Sequence, residues 1–103
     1  MDNNQILKQE YSTEFDKLRQ NRVLMSFYKY GPVRDNYNTG RVDAIGSLER
    51  ALEKFKKTKN TEYLVDVSNY AMFRYMFPMP GEFFKPTDSK DSAGVDGTPI
   101  NME

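Results

Sequence analysis

Cysteine and histidine are both absent from this chain. Without cysteine there is no disulfide framework and no thiol nucleophile, and without histidine there is no imidazole for acid-base catalysis. The usual zinc ligand sets are excluded for the same reason. Any chemistry must therefore use carboxylates, lysine, arginine, serine, threonine or tyrosine.

Net charge and long apolar runs are lacking as well. Fifteen Lys and Arg balance fifteen Asp and Glu, so we do not expect a protein that mainly neutralises the phosphates of a nucleic acid. No apolar run approaches the roughly 20 residues of a membrane span, and residues 1–10 lack the pattern of a signal peptide. We therefore expect a soluble, cytoplasmic protein without membrane contact.

Hydrophobic spacing and turn residues predict an all-α chain of 103 residues. Ser12 or Thr13 suits the N-cap of a first helix, which Gly31 and Pro32 end, and Thr61 suits the N-cap of the last. The predicted helices cover about residues 13–30, 42–57 and 61–77. They form a helical domain over 1–80, and residues 81–103 are expected to be an extended, partly disordered tail.

The third predicted helix is apolar on nearly all sides. Eleven of the fifteen residues in 63–77 are apolar or aromatic, so this helix has to be surrounded by others. Two further helices of one chain hardly encircle it. We therefore expect a helical bundle that is completed by homo-oligomerisation, with this helix near the contact between copies.

Acidic residues recur at helical spacing on the last two predicted helices. Glu62 and Asp66 are one turn apart and Asn69 follows on the same face, while Glu49 and Glu53 are one turn apart on the preceding helix. In an antiparallel hairpin both acidic pairs would face one groove. Carboxylates that converge from two helices suit Mg²⁺, or Mn²⁺, together with a phosphate-bearing substrate.

Cations and tyrosines form a second group, mostly on the first helix and the loop after it. Guanidinium groups suit phosphate oxygens and tyrosine rings suit stacking on a nucleotide base. An alternative stays open for Arg22, which also suits an ion pair with Asp66 or Glu49. The candidate substrate-binding residues are Arg22, Tyr28, Lys29, Arg34, Tyr37 and Asn69, with Tyr30 and Arg41 beside them.

The segment TEYLVDVSNYAMF resembles the EExxDV helix of the all-α nucleoside-triphosphate pyrophosphohydrolases, the MazG-like and dimeric dUTPase-like superfamily. SLERALEKF resembles the preceding helix of that family, with an ExxxE pair in place of ExxE, and Tyr63 stands at the second acid of EExxDV. The stretch from Phe27 to Phe77 is also similar to small phage-type proteins grouped with nucleotide diphosphohydrolases. The resemblance implies a Mg²⁺ site formed by Glu49, Glu53, Glu62 and Asp66, with Glu49 and Asp66 catalytic.

Three functions are compatible with these patterns. The first is Mg²⁺-dependent hydrolysis of a nucleoside triphosphate, and the second is binding or sequestering of a nucleotide without turnover. The third is a small phage-type inhibitor or adaptor that binds a host protein through the Met-rich and Phe-rich stretch 72–84.

Overall fold

The protein is all-helical in the computed structural model, which describes residues 1–38 and 42–87 and contains no strand within them. The all-α prediction is therefore confirmed, and the three predicted helices correspond to α2, α4 and α5. The helices are α1 (Asn3–Glu10), α2 (Thr13–Tyr30), α3 (Val33–Tyr37), α4 (Ala44–Thr58) and α5 (Glu62–Met76).

The prediction of three helices was wrong in number, because the structure has two further short helices, α1 and α3. α1 begins with a reciprocal cap, in which Asp2 accepts from the Gln5 N–H and Gln5 accepts from the Asp2 N–H, each at 2.8 Å. Every residue of α1 is exposed. α3 is a five-residue helix after Pro32, inside a segment whose turn-forming residues indicated an irregular loop.

Local capping explains where the long helices begin and end. The Ser12 hydroxyl oxygen accepts from the Phe15 N–H at 2.9 Å, and Gly31 ends α2 at φ +86°, a value that favours glycine. At α5 the capping side chain is Asn60, which accepts from the Glu62 N–H at 3.0 Å, and Thr61 makes no side-chain cap. α5 ends at Met76, one residue short of the predicted end at 77, and Pro78 follows as the residue predicted to stop the helix.

α5 is the central element of the fold. It packs against α4 through most of their length after the short turn at 59–61, and it also contacts α2 and α3. Within the described chain α5 therefore has helices α2, α3 and α4 as neighbours, and its expected place near a contact between copies stays a prediction. The buried residues are Ala44 and Ala51 of α4 and Val65, Asn69 and Phe73 of α5.

The segment that follows α5 folds back onto it through one ion pair. Arg74 donates to the Glu82 carboxylate at 2.7 and 2.8 Å, and the Met79 N–H also donates to Glu82 at 2.9 Å. These hydrogen bonds lower the pKa of Glu82. The Phe84 ring lies edge-on to Tyr75 with centroids 6.1 Å apart, yet Phe84 remains 76% exposed.

Residues 82–87 form no helix or strand, in agreement with the predicted extended tail, whereas the prediction for 88–103 lies outside the described residues. Among the helices of the described chain, none combines the length and the apolar character needed to cross a lipid bilayer.

We expect Phe73→Ala to lower the free energy of unfolding by about 3 kcal/mol or more, because it opens a cavity in a very small core. Phe73 is 5% exposed and Tyr75, on the same helix, is 69% exposed. Tyr75→Ala is the matched control and should cost less than about 1 kcal/mol. Urea unfolding of both variants measures the difference, and equal losses would contradict the assignment of the core.

Candidate functional site

An arginine fork joins α2 to α5. Arg22 lies 2.9 Å from a Glu62 oxygen through Nη1 and 3.0 Å from an Asp66 oxygen through Nη2. Glu62 and Asp66 are one helical turn apart, so a single guanidinium reaches both. The ion pair between Arg22 and Asp66, which was one of the alternatives left open by the sequence, is confirmed. Only 20% of the Asp66 side chain is exposed, against 59% for Glu62.

A second polar contact lies one turn further along the same pair of helices. The Asn69 side chain donates to the backbone carbonyl of Arg19 at 3.1 Å, and Arg19 Nε donates to the Asn69 carbonyl oxygen at 3.4 Å. Asn69 is 5% exposed. Both the NH2 group and the carbonyl oxygen of the Asn69 amide are thus bonded within the protein. Asn69 therefore has a structural role, which is to hold α2 against α5.

A cavity of about 400 Å³ opens between these two helices and α3. Its volume lies within the range of sites for small ligands, roughly 300–1,000 Å³. Two cations, one carboxylate and several aromatic rings converge on it. Its lining residues are Arg22, Val23, Met25, Ser26, Lys29, Tyr30, Tyr37, Asp66, Asn69, Tyr70 and Phe73.

The aromatic wall of the cavity is formed by α3 and α5. The Tyr37 and Phe73 rings lie 5.0 Å apart between centroids, and Tyr70 meets Phe73 edge-on at 6.4 Å. Burial raises the pKa of Tyr37, and burial together with the nearby Asp66 carboxylate raises the pKa of Tyr70. Both phenols therefore keep their protons at neutral pH and can donate hydrogen bonds to a ligand.

The cavity brings together six residues that the sequence analysis named for a site: Arg22, Lys29, Tyr30, Tyr37, Asp66 and Asn69. Sequence reasoning missed Tyr70 and Phe73 as site residues because it assigned them to the apolar body of the helix. The signal was present, since Tyr70 and Phe73 follow Asp66 at i+4 and i+7, on the same face.

Other predicted site residues lie elsewhere. Tyr28 is 83% exposed and lies on the side of α2 that faces away from α5. Arg34 is exposed on α3, and Glu49 and Glu53 are exposed on α4. None of these four side chains, nor that of Glu62, lines the cavity. Arg41, which was considered beside them, lies outside the described residues.

The four carboxylates of the predicted magnesium site do not assemble in the described chain. Glu62 and Asp66 both form ion pairs with Arg22. Within residues 1–38 and 42–87, no three carboxylate side chains are grouped so that they could hold one metal ion. As placed here, these residues do not fit Mg²⁺, which prefers several oxygen ligands in an octahedron. Magnesium, and the catalytic roles of Glu49 and Asp66, stay predictions from the sequence.

A double-mutant cycle should show that the arginine fork is anchored mainly by Asp66. We expect a coupling free energy of about 1 kcal/mol between Arg22→Ala and Asp66→Ala, because this pair is the less solvated one. The coupling between Arg22→Ala and Glu62→Ala should be below about 0.5 kcal/mol. Chemical unfolding of the six proteins measures both values, and a larger coupling to Glu62 would contradict this order.

Alkaline titration should reveal the two half-buried phenols, Tyr37 and Tyr70. Because the native pKa values of Tyr37 and Tyr70 are raised, the stability they contribute is complete below about pH 10 and is lost as the pH rises through those native values. Tyr37→Phe and Tyr70→Phe should each remove one late step from the tyrosinate absorbance curve. Tyr11 should keep a late step in the double variant, because its hydrogen bond to Asp16 raises its pKa as well. A double variant with the same late steps as the wild type would contradict the assignment to Tyr37 and Tyr70.

Comparisons with known proteins give no independent assignment of this site. No family model matches the chain, and no curated protein and no solved structure matches it either. Function has to be argued from the cavity between α2, α3 and α5 and from the side chains that line it.

Proposed function

We propose that this protein binds a nucleotide, at the size of a mononucleotide, in the cavity between α2, α3 and α5. The observation that carries the proposal is the convergence in that cavity of Lys29 and Arg22 with an aromatic wall and one carboxylate. A nucleotide offers one chemical partner to each: an anionic phosphate, a planar base, and the N–H or hydroxyl donors of base and ribose.

The base would lie against the aromatic wall. Tyr37 and Phe73 form a tilted pair and Tyr70 closes its edge, so a planar ring entering the cavity finds apolar faces, which commonly contribute about 1–3 kcal/mol per stacked base. The Asp66 carboxylate oxygens accept hydrogen bonds, so they suit a ligand that presents N–H or O–H donors at that depth. These oxygens already accept from Arg22, which holds the carboxylate in place.

The phosphate would lie at the α2 side of the cavity. Lys29 is exposed at its rim, with Nζ 5.2 Å from the centroid of the Tyr30 ring. Its ammonium group can therefore turn toward an incoming anion without leaving a buried partner uncompensated. The Arg22 guanidinium lines the same cavity, but its two Nη atoms already contact Glu62 and Asp66, so Lys29 is the main cation for the phosphate.

The dispersal of the acids supports binding without turnover over hydrolysis. Magnesium-dependent cleavage of a phosphoanhydride needs a metal and a base held at one phosphate. Glu49 and Glu53 are exposed and do not line the cavity. Of the four acids proposed for the metal, the binding function uses Asp66 alone.

Calorimetry with a panel of nucleoside mono-, di- and triphosphates, in EDTA and then in Mg²⁺, tests the proposal. At least one nucleotide should bind in EDTA, and Lys29→Gln should weaken it about tenfold or more through loss of a charge-assisted contact. Tyr37→Leu should weaken it by a similar factor. Arg34→Gln and Tyr75→Leu are matched controls outside the cavity and should change affinity less than about twofold.

The same samples separate the alternatives. If a nucleotide binds equally well after Lys29→Gln and Tyr37→Leu, its site lies outside this cavity. If none of the nucleotides binds, the proposal is overturned. Release of pyrophosphate or monophosphate only in Mg²⁺ would favour the hydrolase that the resemblance implies.

A helical adaptor is the second candidate, and one observation favours it. Large apolar side chains remain exposed where the segment after α5 folds back: Tyr75 at 69%, Met76 at 50%, Phe83 at 83% and Phe84 at 76%. Contiguous exposed aromatics are typical of protein-binding surfaces. A host protein is the partner that the sequence suggested for this surface, and it becomes the leading function if no nucleotide binds.

A further inference from the structure

One whole side of α2 is uncovered. Seven side chains on it are exposed, and together they form what we name the outer α2 face: Glu14, Lys17, Leu18, Asn21, Leu24, Met25 and Tyr28. The partly buried residues of the same helix, among them Arg19 and Arg22, lie on the opposite side, toward α5. The side that packs inward is thus rich in charge, while the side in solvent carries much of the apolar surface of the helix.

The outer α2 face has the spacing of a helix-pairing seam. Leu18, Asn21, Met25 and Tyr28 follow one another at alternating steps of three and four, which is the a and d pattern of a heptad repeat. Leu24 lies beside them. Exposed fractions are 47% for Leu18, 56% for Leu24, 63% for Met25 and 83% for Tyr28. Leu18 and Met25 border a groove shared with α5, and each still leaves about half or more of its surface in solvent.

We infer that two copies of this chain pair through the outer α2 face, with their α2 helices antiparallel and Asn21 near the two-fold axis. The charges at the two ends of the face favour a second copy of the chain as the partner and favour an antiparallel orientation of the two helices. Glu14 stands at one end of the face and Lys29 borders the other, so an antiparallel pair places opposite charges side by side and opposes the two helix dipoles. A parallel pair would align Glu14 with Glu14 and Lys17 with Lys17.

The size of the face is that of a modest dimer. From Glu14 to Tyr28 it runs about 21 Å along the helix. Its four large apolar side chains, with the stems of Lys17 and Glu14, present several hundred Å² per copy, against about 800 Å² per partner in a standard interface. The pairing should therefore be reversible and depend on concentration. It shares Met25 and Lys29 with the lining of the proposed nucleotide cavity, whereas Glu14, Asn21 and Tyr28, the positions of the cysteine tests below, lie outside that lining.

Single cysteines test the direction, because the natural chain has none and each introduced thiol is alone. Asn21→Cys should form a disulfide-linked dimer rapidly under mild oxidation. Glu14→Cys alone should not, because its two copies would lie about 21 Å apart in an antiparallel pair. Mixed Glu14→Cys and Tyr28→Cys chains should cross-link with each other. Glu53→Cys, exposed on α4, is the control for random collision.

Sedimentation over a wide range of protein concentration tests the pairing itself. The wild-type chain should shift from 12.0 kDa toward twice that mass. Met25→Glu should remain monomeric, whereas Met76→Glu, a methionine of similar exposure on α5, should dimerise as the wild type does. Circular dichroism checks that both variants are folded.

Three results would overturn the inference. One is a wild-type chain that stays at 12.0 kDa at all concentrations. Another is Met25→Glu that is folded and still dimeric. The third is Glu14→Cys that cross-links to itself as fast as Asn21→Cys, which would mean a parallel pair.

Discussion

The contact between Arg22 and the two acids of α5 is the interaction on which the rest of the structure depends. None of the residues of α2 is fully buried, so hydrophobic packing contributes little to the contact between α2 and α5. The fork to Glu62 and Asp66 and the reciprocal bonds between Arg19 and Asn69 set its position and register instead. Because polar contacts are directional, they leave an open space between the helices where a close-packed apolar seam would have filled it.

The same arginine determines what chemistry the site can support. It pairs with Asp66 and Glu62, and it lines the same cavity as Asp66 and Lys29. Such a cavity is suited to recognising an anionic, planar, donor-bearing molecule more than to activating water with a metal. The sequence pattern suggested a nucleotide and a metal at one site, but the four acids proposed for the metal are divided between the Arg22 fork and the exposed surface of α4.

The small core makes partners important for this chain. Only four apolar residues are buried in the described structure, and small domains gain little stability from such cores. Two surfaces retain the apolar side chains that a larger domain would bury: the outer α2 face, and the aromatic group where residues 78–87 return to α5. The first is suited to a second copy by its charge pattern, and the second belongs to the adaptor hypothesis.

Local chemistry in the sequence determined the long helices and their ends, since the Ser12 cap, Gly31 and Pro78 act over a few residues. It also determined that α5 would be the surrounded helix, because that depends on its composition. Only the tertiary structure decided which charged residues meet. Helical spacing places Glu62 and Asp66 on one face but does not say whether α4 or α2 lies opposite. The fold puts α2 there, so an arginine meets the acids, Tyr70 and Phe73 line a cavity, and Glu49 and Glu53 remain in solvent.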